Sequence, residues 1–222
     1  MSIKLVAFDW NGTILADAQG MVRANNAVLR HFKLEPINLK RYRDTFQVPI
    51  KSYWMALGFD PDLFDRIAKE QEKIFQKSHE PEEKKCRARL GIKEVLSFLA
   101  KQKVESVIFS NHITAHIEKK LENLCLANRF TAVLARAVND RGHQHKRFKD
   151  QILNEYIRSK GIKPHEVMVV GDTEEEIEIG RKFGYTTVAL TGGHNSVSRL
   201  KAQKPDYLIA HLKELKRIIP TL

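Results

Sequence analysis

Apolar residues run from Ile3 to Phe8 with Lys4 as the only charge among them, and the run stops at Asp9 and a glycine-containing turn. A short apolar run of this kind predicts a buried parallel strand. The same grammar returns at Val104–Phe109 before Ser110-Asn111, at Val167–Val170 before Gly171-Asp172, and at Thr186–Leu190 before Gly192-Gly193. Further short strands are predicted at Thr131–Ala135 and Tyr207–Ile209. Helical spacing fills the intervals: Ile92–Lys101, Thr114–Asn123, about Arg147–Ser159, Glu174–Phe183, a short piece at Val197–Ala202, and Leu212–Ile219. Strand–helix alternation implies an α/β fold, a parallel sheet with helices on both faces. Ligands of such sheets sit outside the carboxyl ends of the strands. Asp9, Ser110 and Asp172 are therefore expected on one edge, and two carboxylates with a hydroxyl suit a phosphate and a metal ion.

From Ala24 to about Glu83 no strand of the main sheet is predicted. Ala24–Phe32 has helical spacing after a short loop at Ala16–Met21, and Lys40–Thr45 and Pro49–Leu57 read as short helices. Asp60-Pro61 is a good helix start, with proline at the first position. That helix is expected to run to Lys77, with the charged stretch His79–Lys85 as a connector. The reading is a small helical domain at 16–87 inserted into an α/β domain made of 1–15 and 88–222.

The 222 residues suit one domain with such an insertion. No apolar run approaches the roughly 18 residues that span a bilayer. Two cysteines, Cys86 and Cys125, lie far apart without metal-ligand spacing, and reduced thiols in the cytoplasm are expected. A net charge of +11 favours anionic partners. The excess is spread along the chain, with only short clusters such as Lys146-Arg147-Phe148-Lys149, and no nucleic-acid-binding motif accompanies it. Specific nucleic-acid binding is not expected.

Phe8-Asp9-Trp10-Asn11-Gly12-Thr13, Phe109-Ser110-Asn111 and Gly171-Asp172-Thr173-Glu174-Glu175-Glu176 resemble, in order and spacing, the first, second and fourth motifs of the haloacid dehalogenase superfamily. The stretch Val169–Thr173 followed by Ile177–Arg181 is most similar to its phosphoglycolate-phosphatase-like branch. The resemblance covers essentially the whole chain and implies a Rossmann-like parallel sheet with an inserted α-helical cap. It also implies a Mg²⁺-dependent phosphatase acting on a small phosphorylated metabolite.

In that pattern Asp9 attacks phosphorus and forms an aspartyl-phosphate. Asp9, the backbone carbonyl of Asn11, Asp172 and Glu176 would hold Mg²⁺, which prefers carboxylates and waters, and Glu175 could substitute for Glu176. Otherwise Glu174, Glu175 and Glu178 read as a solvated helix start. Ser110 and the backbone amide of Asn111 would bind a phosphoryl oxygen. Thr13 would shape the turn that Gly12 permits. The mechanism needs a cation beside the nucleophile; Lys149 opens its helix in a family-like register and is the first choice, with Lys146 second and Arg147 also available. His143 and His145 read as surface residues, and Arg41, Arg43, Tyr53 and Trp54 are candidates for substrate contact from the cap.

One position departs from the pattern. Two residues after the nucleophile the family usually has an aspartate that serves as general acid and then base; here it is Asn11. The carbonyl survives, but an amide cannot supply acid–base help of about 10²–10⁴-fold, roughly 3 to 5.5 kcal/mol of barrier. Slow turnover on alkyl phosphates is expected. An alternative is a weakly active metal-binding protein that acts through a protein partner. Asn11-Gly12 is also a pairing expected to deamidate readily.

Overall fold

The computed structural model describes residues 2–137 and 149–221. Its strands β1 (Leu5–Phe8), β2 (Glu105–Ile113), β3 (Ala132–Arg136), β4 (Val167–Gly171), β5 (Thr186–Leu190) and β6 (Tyr207–Ile209) form one parallel sheet in the order β3-β2-β1-β4-β5-β6. After β1 the chain builds outward to β2 and β3, then returns to the other side of β1 with β4. The end of β1 is therefore the point where strand order reverses, the usual ligand crevice of an open α/β sheet.

Alternation along the strands divides the core. Val6 and Phe8 of β1 face one way, with Ile108 and Val170, and meet α5 (Ile92–Lys101) and α6 (Thr114–Asn123) through Val95, Leu99 and Ile117. Leu5 and Ala7 face the other way, with Val107 and Val169, and meet α7 (Lys149–Ser159) and α8 (Glu174–Phe183) through Leu153, Ile157 and Ile179. The chain ends with α9 (Val197–Ala202) and α10 (Leu215–Ile218), the latter flanked by 3₁₀ turns where the sequence predicts one helix.

Between β1 and α5 lie α1 (Ala18–His31), α2 (Leu39–Thr45), α3 (Ile50–Ala56) and α4 (Pro61–Lys85). They bury a core of their own around Val28, Leu29, Tyr42, Tyr53, Trp54 and Phe59, with the Trp54 and Phe59 rings edge-to-face at 5.4 Å. The chain enters and leaves this helical layer side by side: Leu15 bridges Ala88, and the Ala16 N–H donates to the Arg87 carbonyl at 2.9 Å.

Two expectations are corrected here. The expected loop at Ala16–Met21 is mostly helix, because Val22 joins the core of the helical layer and Asp17 is tied down just before the first turn. The expected connector at His79–Lys85 is the last part of α4, which passes through Pro81. Glu80, Lys84 and Lys85 face outward, the His79 ring stacks on Phe75 at 5.2 Å, and the Lys120 ammonium donates to the terminal carbonyls of Glu83 and Lys84 at 2.6 and 3.0 Å. Residues 139–145, Lys146 and Arg147 lie outside the described residues.

Candidate active site

Strand register assembles the site. Phe8 pairs with Ile108 on one side and Val170 on the other, and the Asp9 N–H donates to the Val170 carbonyl at 2.9 Å. Asp9 and Asp172 thus follow β1 and β4 at one end, Ser110 lies beside them in β2 where its pairing with β3 shifts register, and all three are buried. This juxtaposition follows from the parallel pairing, since neighbouring strands are about 4.8 Å apart.

Lys149, the first residue of α7, reaches into this edge. Its ammonium is 2.9 Å from Asp9 Oδ1 and 3.0 Å from Glu175 Oε2, and it also pairs with Glu176. Burial alone would lower its pKa; the three carboxylates override that and push it well above the ordinary lysine value, so the ammonium stays charged. Its ammonium also lies over the Phe109 ring, 5.2 Å from the centroid. Asn111 joins the same group: its amide donates to Glu175 at 3.3 Å and its carbonyl oxygen accepts the Lys149 N–H at 3.4 Å.

The acidic helix start is not solvated. Glu175 and Glu176 are buried, 5% and 1% exposed, whereas Glu174 turns outward to Arg199 and Glu178 is half-buried. Glu176 spends both oxygens, Oε1 on Lys149 and Oε2 on the N–H and hydroxyl of Thr173 at 2.9 and 2.6 Å. That is a capping box, and it leaves both Glu176 oxygens with partners in this structure.

Asp172 is held just as firmly. The Thr13 hydroxyl donates to Oδ1 at 2.6 Å and the His194 N–H to Oδ2 at 2.6 Å. Its carboxylate lies where side chains on Gly12 and Gly193 would have to be, and Gly12 has a left-handed φ of 77°. Ser110 Oγ accepts the His112 N–H at 3.1 Å, which leaves its own proton to donate.

Sequence reasoning missed a second group behind the turn. Asn11 Nδ2 donates to Asp17 Oδ2 at 2.7 Å, the Gly12 N–H to Asp17 Oδ1 at 2.8 Å, and His194 Nε2 lies 3.1 Å from Asp17 Oδ1. Burial would lower the His194 pKa, but the Asp17 carboxylate pushes it up to about 9. Asp17 and His194 are 177 residues apart, and the one signal in the sequence is the Gly192-Gly193 pair at a strand end, which lets the loop fold over Asp172. Of the cap candidates, Tyr53 and Trp54 are core residues of the helical layer. Arg41 is exposed and donates to the Ala56 carbonyl at 3.3 Å, and only Arg43 reaches the α/β layer, donating to the carbonyls of Gly192 and Gly193 at 2.7 and 2.8 Å.

The charges do not balance. Asp9, Asp17, Asp172, Glu175 and Glu176 are all buried, against the buried cations Lys149 and His194. Burial raises the Asp9 carboxyl well above the usual range, Lys149 pulls it down, and Glu176 and Asp172 push it up again. Burial likewise raises Asp172. An excess of hard, buried oxygen anions fits a divalent cation. Among the described residues no three acidic, imidazole or thiol side chains form a cage; Mg²⁺ needs none, since it binds one or two carboxylates and keeps several waters.

The family of haloacid dehalogenase-like hydrolases matches residues 6–190. The chain belongs to that family. This hydrolase is 24% identical over 224 residues to phosphoglycolate phosphatase of Synechococcus elongatus, covering 99% of both chains. It is also 24% identical over 217 residues to phosphoglycolate phosphatase of Pseudomonas putida, covering 96% of this chain and 78% of the relative. Among solved structures, the fold matches a predicted phosphatase from Clostridium acetobutylicum with a TM-score of 0.81 at 21% identity over the full length of both. It also matches a predicted phosphoglycolate phosphatase from Haemophilus somnus with a TM-score of 0.72 at 18% identity, covering 98% of both.

Proposed function

We propose that this hydrolase is a Mg²⁺-dependent phosphatase of a small phosphomonoester, phosphoglycolate-like in class, that works through an aspartyl-phosphate on Asp9. The observation that carries the reading is the buried Asp9–Lys149 pair beside Asp172 at the switch point of the sheet. The names of the full-length relatives support the substrate class.

Asp9, Asp172 and the backbone carbonyl of Asn11 would hold the metal, which when bound supplies charge neutralisation to the phosphoryl group. An Asp9 oxygen attacks phosphorus, the bond to the leaving oxygen breaks, and water later cleaves the acyl phosphate. Lys149 holds Asp9 in place and offers positive charge to the phosphoryl oxygens as they gain negative charge. The Ser110 hydroxyl and the Asn111 N–H are the donors at the strand end. Glu175, Glu176 and the Asn111 side chain keep Lys149 aimed, and Thr13 does the same for Asp172. In this assignment Glu176 acts on the lysine and not on the ion, and Lys149 takes the cation's place ahead of Lys146. Asn11 cannot protonate the leaving oxygen, so that oxygen departs with its electron pair and good leaving groups are favoured.

The direct test is hydrolysis of p-nitrophenyl phosphate with and without Mg²⁺, for the wild type and Asp9→Asn. Metal-dependent hydrolysis that the substitution abolishes is expected. The amide at position 11 favours a second reading, a metal-binding protein with little catalysis that acts through a partner. Mg²⁺ binding without hydrolysis of either aryl or acyl phosphates would select it.

A further inference from the structure

A chain of buried side chains runs from the helical layer to the turn behind Asp9, and the chemistry proposed above does not use it. The Tyr42 hydroxyl, on α2, lies 2.5 Å from His194 Nδ1. His194 Nε2 is 3.1 Å from Asp17 Oδ1, and the Asp17 carboxylate takes the Asn11 amide at 2.7 Å and the Gly12 N–H at 2.8 Å. Tyr42 and Asp17 are fully buried and His194 is 2% exposed. The His194 ring also packs against Tyr42 and Phe46 of the helical layer, with centroids 5.7 and 5.2 Å away. Around this line α2 is seated on the loop after β5: Arg43 donates to Gly192 and Gly193, the Ser196 N–H to the Arg43 carbonyl at 3.1 Å, and the Asn195 amide to the Phe46 carbonyl at 2.9 Å.

We infer that Tyr42, His194 and Asp17 are positioning residues, which make the seating of α2 on the α/β layer a condition for holding the Asn11 amide and the Gly12 N–H in one geometry. Hydrogen-bond satisfaction supports this. A buried imidazole that loses either partner leaves a donor or acceptor unpaired, which costs more than the bond itself contributes. Asp17 can keep both donors on its two oxygens only while His194 fixes its orientation. Tyr42 is what keeps His194 from turning, and Tyr42 belongs to the helical layer.

The arrangement has a covalent consequence at Asn11-Gly12. Deamidation requires the Gly12 nitrogen to lose its proton and attack Cγ of Asn11. Ammonia then leaves, and water opens the cyclic imide to aspartate or isoaspartate. Here the Gly12 N–H is shared between the Asp17 carboxylate and the Leu15 carbonyl, at 2.8 and 2.9 Å. Removing its proton would put an anion against a buried carboxylate, which the low dielectric opposes. The Asn11 amide, held on the other Asp17 oxygen, cannot rotate freely into the path of attack. The clamp therefore keeps position 11 an amide, against the expectation from the bare Asn-Gly dipeptide.

The experiment compares wild type, Tyr42→Phe and His194→Gln in the full chain. Deamidation at Asn11 is followed by peptide mapping at fixed pH and temperature, with melting temperature recorded in parallel. Both variants are expected to deamidate at Asn11 at least about tenfold faster, the ratio that matches loss of one charge-assisted hydrogen bond, at temperatures well below their melting points. On protein whose Asn11 is intact by mass, p-nitrophenyl phosphate hydrolysis should show a lowered kcat at unchanged KM. Wild-type deamidation rates in both folded variants overturn the inference. If His194→Gln does not fold, Tyr42→Phe alone decides. The kinetic arm rests on the phosphatase reading, the mass arm does not, so an inactive wild type counts against that reading while deamidation still judges the clamp.

Discussion

Asn11 donates its amide to a carboxylate, and that contact decides what an acid in its place would do. In Asn11→Asp a carboxyl oxygen would stand where an amide nitrogen now lies 2.7 Å from Asp17. Two carboxyl groups so close do not both ionise but share one proton, and a shared proton near the nucleophile is what a departing alkoxide needs. Asn11→Asp is therefore expected to raise alkyl phosphate hydrolysis about 10²-fold, the lower end of acid–base help, and to raise aryl phosphate hydrolysis much less. Comparing kcat/KM for the two substrates checks this, and equal gains would mean another proton source. Lys149 supports a second expectation. Lys149→Met leaves Asp9, Glu175 and Glu176 buried without their cation, and removal of one partner from such a group costs about 3–5 kcal/mol. Urea unfolding at pH 7 should show that loss, with partial recovery at pH 5 as the carboxyls take up protons. Asp9, Ser110 and Asp172 were legible in the sequence because each follows an apolar run, although β2 itself continues past Ser110 to Ile113. Glu175 was misread, since a run of three acids at a helix start looks solvated until a buried lysine from another helix is found among them. His194 and Asp17 had no local pattern, and only the fold brings them together.

At the scale of elements, α4 shows how tertiary contacts override local signals. Pro81 and the dense charge around it argue for a break, yet the helix continues to Lys85. Its outer face carries Glu80, Lys84 and Lys85, and Lys120 of α6 takes up the carbonyls at its end. His79 lies on the inner side of this stretch, 4.0 Å from Glu83 and stacked on Phe75, and Glu83 in turn meets His112 of β2 at 3.2 Å. Burial lowers the His79 pKa below 6.5; Glu83 and Asp17 oppose this, while His112 and His194 add to it. A base with a depressed folded pKa is protonated first in the unfolded chain, so the unfolded state binds more protons below about pH 6.5 and stability falls as pH drops through that value. His79→Gln should flatten that part of a stability–pH curve measured by denaturant unfolding. An unchanged slope would assign the acid sensitivity to other groups. Helix and strand boundaries on the α/β side were legible to within a residue or two in most cases, because strand–helix alternation leaves little freedom there.

For the molecule as a whole, the sheet order and the two-sided core follow from the alternation of apolar strands and amphipathic helices, and the helical layer was legible as an interval without strands. The surplus of buried acid at the sheet edge is a whole-molecule property, built from β1, β4 and α8 together. Mg²⁺ bound there, as the proposed function requires, would stabilise the folded chain by mass action, about 2.7 kcal/mol at a hundredfold excess over Kd. Melting temperature should rise with Mg²⁺ against EDTA in the wild type and stay flat in Asp172→Asn. A rise preserved in that variant would move the ion elsewhere. The paired segments Leu15–Ala16 and Arg87–Ala88 have a consequence for access. Together with Lys120 at the end of α4 and α2 on the loop after β5, they hold the helical layer to the α/β layer at several points. A phosphomonoester approaching Asp9 from the side of α2 would have to part the Tyr42–His194 and Arg43–Gly192 contacts.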